Sequence, residues 1–144
     1  MPPDDRESLE ELEMPATRAS LAPLRAFVLA RAEELAPAVA VKIDLVLEEL
    51  LLNIFDYAYE PDSPGTVAVA CAPGADGGFV LRIRDRGRPF DPLARPAPDL
   101  DRDLARREVG GLGILLVREM SRSQTYRHEQ GANVLEIVFG PSPD

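Results

Sequence analysis

The stretch VLEELLLNIFDYAY, Val46 to Tyr59, is apolar enough for a core helix, yet it carries Asn53 among Leu50, Leu51, Leu52, Ile54 and Phe55. Apolar residues at Ile43, Val46, Leu47, Leu50, Leu51, Ile54 and Ala58 recur with helical period and predict a helix over 41–59. Glu49, Asn53 and Tyr57 are spaced by four, so they share one stripe beside the face that packs on a sheet. A carboxylate one turn before a carboxamide sets a general base next to an oxygen ligand for a hard cation such as Mg²⁺. The plainer alternative is a boundary stripe in which Asn53 bonds neighbouring backbone, and the helix pattern by itself favours that alternative. A buried amide with no partner costs about 1–3 kcal/mol, so the asparagine needs one or the other explanation.

Outward from this helix the chain divides cleanly. Residues 1–8 are polar and read as a flexible N-terminus, and Leu9 to Met14 as a short edge strand. Leu21, Leu24, Phe27, Val28, Ala32 and Leu35 predict a first helix, with Ser20 as its cap and Pro37 as its stop. EPDSPG (Glu60 to Gly65) is turn chemistry. TVAVACA (Thr66 to Ala72) and FVLRIR (Phe79 to Arg84) read as strands joined by PGADGG, a hairpin. Residues 86–107 hold four prolines and follow no period, a length expected of a functional lid. GGLGILLVREM (Gly110 to Met120) starts a helix out of a glycine cluster, and Ser123 to His128 with Asn133 to Phe139 form a second hairpin around EQGA. Residues 9–139 are therefore expected to form a single α+β domain. It would be a two-layer α/β sandwich whose mixed, mostly antiparallel sheet carries helices on one face, with a mobile lid at about 88–109 and a solvent tail at 140–144.

Composition removes several function classes. A net charge of −9 offers no basic footprint for nucleic acid or for an anionic membrane. The single cysteine, Cys71, excludes an internal disulfide and a cysteine-built metal site, and reads as a small core residue. No apolar run has the length of a membrane span, and the first residues lack the pattern of a signal peptide, so a cytoplasmic location is expected. Lys42 is the only lysine among 16 basic residues, which limits any lysine-on-phosphate mechanism to one candidate.

Two further motifs bear on chemistry. In RDRGRPFDP (Arg84 to Pro92), Asp85 falls at a strand end, where a carboxylate can accept a hydrogen bond from an exocyclic amine such as that of adenine. Gly87 supplies the sharp turn and allows close approach. Gly110-Gly111-Leu112-Gly113 opens a helix whose N-terminal amides suit an anion. The cluster is neither a P-loop nor a Rossmann turn, since the G-K-[ST] ending is absent and a long loop precedes it. Taken singly, these are turn and hinge signals.

Taken in order, EELLLNIFDYAY, DRGRPFDP and GGLGILLV with the closing GANVLEI resemble the nucleotide-binding Bergerat fold of the GHKL ATPases over roughly residues 9–139. Within it the chain is similar to the anti-sigma-factor serine/threonine-protein kinases of bacterial partner-switching systems. The resemblance implies ATP and Mg²⁺ as cofactors, with Glu49 as catalytic base and Asn53 as the metal ligand. Asp85 and Gly87 would bind the base. Gly110, Gly111, Leu112 and Gly113 would cradle the phosphates, and Arg107 or its neighbour Arg106 would swing in with the lid. Glu48 points about 100° away from Glu49 on the wheel, which favours Glu49. Pro89 and Tyr57 depart from many relatives, which carry a glycine and a histidine there.

The implied activity is transfer of the ATP γ-phosphoryl group to a STAS-type antagonist, with binding of a sigma factor or analogous regulator and a homodimeric state. The alternative is a nucleotide-gated binding module without useful kinase activity. The catalytic half of a sensor histidine kinase is disfavoured, because the only histidine, His128, falls in an expected strand. The first helix, with Arg18, Arg25 and Arg31, is the candidate partner surface, an exposed polar face being the plainer account.

Overall fold

Helical period and strand alternation combine here into two layers, in a computed structural model that describes residues 10–60, 62–91 and 111–140 (the side chains of Asp76 and of residues 111–114 excepted). The elements are β1 (Glu10–Pro15), α1 (Leu21–Leu35), α2 (Ala40–Tyr57), β2 (Thr66–Pro73), β3 (Phe79–Asp85), α3 (Gly111–Met120), β4 (Ser123–Glu129) and β5 (Ala132–Phe139). The strands lie in the order β1-β2-β3-β5-β4. Every pairing is antiparallel, so the described sheet contains no parallel pair.

One strand phase makes the core. Val67, Val69 and Cys71 of β2, Phe79, Leu81 and Ile83 of β3, and Leu135, Ile137 and Phe139 of β5 are all buried together with α1 and α2. The helices answer with Leu24, Val28 and Ala32 from α1 and Ile43, Val46, Leu47, Leu50 and Leu51 from α2. Val117 of α3 joins the same core, and α3 packs on α2. Burial pushes the Cys71 thiol up to about 12, the behaviour of an inert core residue. On the opposite phase Arg82 pairs with Glu136 directly across β3 and β5, and Arg84 reaches Glu11. A charged face of this kind needs no cover, so the sheet is stable with helices on one side only. No described helix is long and apolar enough to cross a membrane.

Ser20 does not cap α1 through its side chain. A 3₁₀ turn at Arg18–Ser20 comes first, so Ser20 already has helical dihedrals and is buried, and the extended residue at the true entry is Thr17. The arginines of α1 and of the turn before it are also committed: Arg18 bonds Asp56, Arg25 forks onto Asp44, and Arg31 pairs with Glu10 while lying over the Phe27 ring. They tie α1 to α2 and β1, so a partner docking on this face meets side chains already neutralised.

The β4–β5 hairpin turns through Gln130 and Gly131, both at positive φ (53° and 77°). Such a turn suits Gly or Asn at both centres, and a side chain like Gln in the left-handed region costs about 1–2 kcal/mol. Gln130→Gly is expected to raise stability by about 1 kcal/mol, read as a higher urea midpoint at unchanged m. The carbonyl that Gln130 offers to Arg86 survives the change.

Candidate functional site

The C-terminal half of α2 crosses the ends of β3 and β5, and between them lies a cleft of about 500 Å³, open mouth included. Leu50 and Ile54 of α2, Ile83 of β3 and Leu135 of β5 give it an apolar floor. Three polar side chains interrupt that floor: Asn53, Asp85 and Asn133. Tyr57, Arg88, Phe90 and Tyr126 stand around them, with Tyr57 and Phe90 exposed. An apolar cleft with a buried carboxylate among its lining residues fits a heteroaromatic ring bearing an exocyclic amine.

Asp85 is only 7 % exposed. Burial pushes its carboxyl above the usual range, while hydrogen bonds from Asn133 and Gly87 and the nearby His128 pull it back. The Gly87 N–H (2.9 Å) and Asn133 Nδ2 (3.0 Å) both donate to Oδ1. No described residue bonds Oδ2, which leaves that oxygen to accept from a ligand. Gly87 has a second duty. A Cβ there would fall 2.2 Å from the Ala58 carbonyl oxygen, because the chain after β3 is pressed against the end of α2. Arg88 N donates to that carbonyl (3.1 Å), and Arg86 N donates to the Tyr59 hydroxyl (2.7 Å), which in turn donates to Thr66 O.

Asn53 answers the question raised by its sequence context. Its Oδ1 is buried and has no hydrogen-bond partner, so it does not bond neighbouring backbone. An orphaned amide oxygen on a residue that lines a cleft is a fitting ligand for a hard cation, and Mg²⁺ characteristically takes one or two protein oxygens and completes its shell with phosphates and water. Among the described residues no cluster of three acidic, histidine or cysteine side chains would hold such an ion alone. Glu49, one turn back, is half-buried, and burial followed by the charge of Glu48 holds its carboxyl above the usual range, toward the value a general base needs. Glu48 instead faces Arg25, 3.7 Å away.

Asn53, Tyr57 and Asp85 are thus brought together at the cleft, and Gly87 shapes its rim, whereas Glu49 does not line it. Gly111, Leu112 and Gly113 form the first turn of α3. Gly110, Arg106 and Arg107 lie outside the described residues, as does most of the expected lid at 88–109. The described part of that lid is pinned rather than free, since Arg88 N, Arg88 O and Phe90 N are all hydrogen-bonded. His128 is an exposed strand residue, as expected. Sequence reasoning missed Asn133, Arg88 and Tyr126. For Asn133 a signal existed: it is a polar residue in phase with the buried Leu135, Ile137 and Phe139. Arg88 lines the cleft with no carboxylate partner among the described residues.

Comparison with known proteins agrees with this fold. A profile of the histidine kinase-like ATPase domain matches residues 14–139. The serine/threonine-protein kinase BtrW of Bordetella bronchiseptica is 28% identical over 102 residues, covering 71% of each chain. Among solved structures, the RsbU and RsbW domains of a Mycobacterium tuberculosis protein superpose with a TM-score of 0.60 at 17% identity, over 90% of this chain and 32% of that one. This chain thus spans about a third of that structure. The histidine kinase domain of a blue-light-activated kinase from Erythrobacter litoralis gives a TM-score of 0.53 at 13% identity, over 83% of this chain and 60% of that one. The two structural matches establish shared fold.

Asn53→Leu is expected to leave the fold intact and raise stability by about 1 kcal/mol, since it removes an unsatisfied buried oxygen. It should abolish magnesium-dependent nucleotide affinity, read by calorimetry with and without Mg²⁺. Glu49→Gln carries a pH signature. The folded-state value of Glu49 lies above its ordinary 4.5, so the folded chain holds the extra proton and native stability falls as pH rises through that interval. The glutamine variant should therefore melt higher than wild type at pH 7, and the difference should vanish as pH drops below about 4.

Proposed function

The chain belongs to the histidine kinase-like ATPase domain family, and from that premise we propose that it is an ATP-dependent protein serine/threonine kinase of a bacterial partner-switching system. Its substrate on this reading is a STAS-type antagonist, and its second partner a sigma factor or analogous regulator, bound by a homodimer. The likeness to BtrW supports a serine/threonine kinase. The observation that carries the reading is the orphaned Asn53 Oδ1, one turn from a carboxylate with a raised proton affinity and across an apolar slot from Asp85.

Asp85 Oδ2 accepts from the adenine amine while Leu50, Ile54, Ile83 and Leu135 exclude water from the ring. Asn53 Oδ1 would hold Mg²⁺, which when bound neutralises phosphate charge and orients the γ-phosphoryl group. The first-turn amides of α3 suit the phosphate oxygens. Glu49 takes the proton of the partner's hydroxyl as its oxygen forms a bond to the γ-phosphorus, and the bond from that phosphorus to the β,γ-bridging oxygen breaks. The products are a phosphoserine or phosphothreonine and ADP, with the proton on Glu49.

A second reading has one observation in its favour: Glu49 does not line the cleft. On it, the protein binds nucleotide to set partner affinity and transfers no phosphate. Mixing the protein with Mg-ATP labelled at the γ-position and a candidate STAS-type partner protein separates the two. The kinase reading expects a labelled serine or threonine, and a loss of about 100-fold or more in transfer rate for Glu49→Ala at near-normal ATP affinity. Absence of label, with ATP still altering partner affinity, would move the assignment to the second reading.

A further inference from the structure

Asn133 spends every polar atom of its amide on the geometry of this cleft. It stands directly opposite Asp85 in the β3–β5 register and is 6 % exposed. Nδ2 donates one hydrogen to Asp85 Oδ1 (3.0 Å) and the other to the Arg88 carbonyl (2.9 Å). Oδ1 accepts from Phe90 N (3.2 Å) and from the Tyr126 hydroxyl. The opposite flip of the amide would set its oxygen against a carboxylate and a carbonyl and its hydrogens against an N–H, so the network itself fixes the orientation.

We propose that Asn133 is a positioning residue for nucleobase recognition, holding the Asp85 carboxylate and the Arg88–Phe90 strap as one rigid unit. The inference rests on the nucleotide-site reading above and adds to it a residue with no required contact to the ligand. Because Asn133 and Gly87 both load Oδ1, the carboxylate cannot rotate without giving up two bonds, and Oδ2 stays the oxygen left for a ligand. The same amide fixes the backbone on both sides of Pro89, so Arg88 and Phe90 keep their places at the rim. Leucine at 133 has similar bulk but strands an acceptor on Asp85, the Arg88 carbonyl and the Phe90 N–H together.

A purely structural asparagine would change stability and leave base preference alone. A positioning asparagine changes the affinity of the folded protein for a base with an exocyclic amine at that point, and not for one without it. Mg-ATP and Mg-GTP binding to wild type, Asn133→Leu and Asn133→Thr should be measured by calorimetry at a temperature where circular dichroism shows each folded. Amide hydrogen exchange at Gly87 and Phe90 should be followed in parallel.

For Asn133→Leu the expected result is a loss of about tenfold or more in ATP affinity with GTP affinity changed by less than about twofold. Phe90 exchange should accelerate. Threonine, whose hydroxyl replaces part of the network, should fall between the two. An ATP-over-GTP preference within about twofold of wild type in both variants overturns the proposal. If the leucine variant does not fold, the threonine variant decides alone by the same criterion. If wild type binds no nucleotide, the nucleotide-site reading fails instead. The claim for nucleobase recognition falls with it, and exchange at Gly87 and Phe90 then reports only whether Asn133 holds the strap.

Discussion

Burying the Asp85 carboxylate at the end of the core face is the constraint on which the rest of the site depends. A carboxylate at that depth needs hydrogen-bond donors, and here Gly87 and, across the sheet, Asn133 both supply them to Oδ1. The bond to Gly87 turns the chain at the end of β3. The turn presses Gly87 so close to Ala58 that any larger residue would collide with the α2 carbonyl end. That contact lets Arg88 N satisfy a carbonyl at the end of α2, while Tyr59 closes the other side by bridging Arg86 N and Thr66 O. Sheet end, helix end and strap are therefore one hydrogen-bonded assembly.

The two asparagines of the cleft resolve the cost of burial in opposite ways. Asn133 is fully bonded and stiffens what surrounds it. Asn53 leaves an oxygen with nothing to bond, which is unfavourable in the free protein and becomes favourable only when a ligand supplies a positive centre. Glu49 belongs with Asn53, since its raised proton affinity reflects a charge that the free fold does not welcome. Saturated groups set the geometry, and unsatisfied ones on the same helix hold the capacity to act. Stability and function are in tension on α2 and aligned at the β3–β5 end.

Much of this was legible in the chain because periodicity reports burial directly. The strand bounds, both hairpins and all three helices follow from alternation and helical spacing, and the placement of Asp85 at a strand end follows from the phase of Phe79, Leu81 and Ile83. The entry to α1 was not legible, because a 3₁₀ turn before a helix leaves no mark that distinguishes it from a cap at Ser20. Asn133 was visible as a polar residue on a core phase, but its importance depends on which strand lies beside it. Register between β3 and β5, whose facing Asp85 and Asn133 are 48 positions apart in the chain, is a tertiary fact. Arg88 escaped because it sits in a stretch where charges alternate without period, and only the fold separates the arginine at the cleft from those spent elsewhere.

That separation matters for an acidic protein proposed to bind a polyanion. At net charge −9 the long-range field opposes a nucleoside triphosphate, and local charge must overcome it. Most described arginines do not help. Arg18, Arg25, Arg31, Arg82, Arg84 and Arg127 each face a carboxylate of the same chain, which cancels their field at short range. Arg88 differs, with its backbone anchored through Ala58 and Asn133 and its guanidinium paired with no carboxylate among the described residues. It sits at the Asp85 end of the cleft, where its bonds place it nearer a base than a terminal phosphate. Charge at the phosphate end then falls to the cation that Asn53 fits and to the first-turn amides of α3, which carry no formal charge for the acidic surface to neutralise. On the nucleotide reading, an acidic chain with one lysine would therefore make affinity for the triphosphate depend on its metal more steeply than a site built on lysine would.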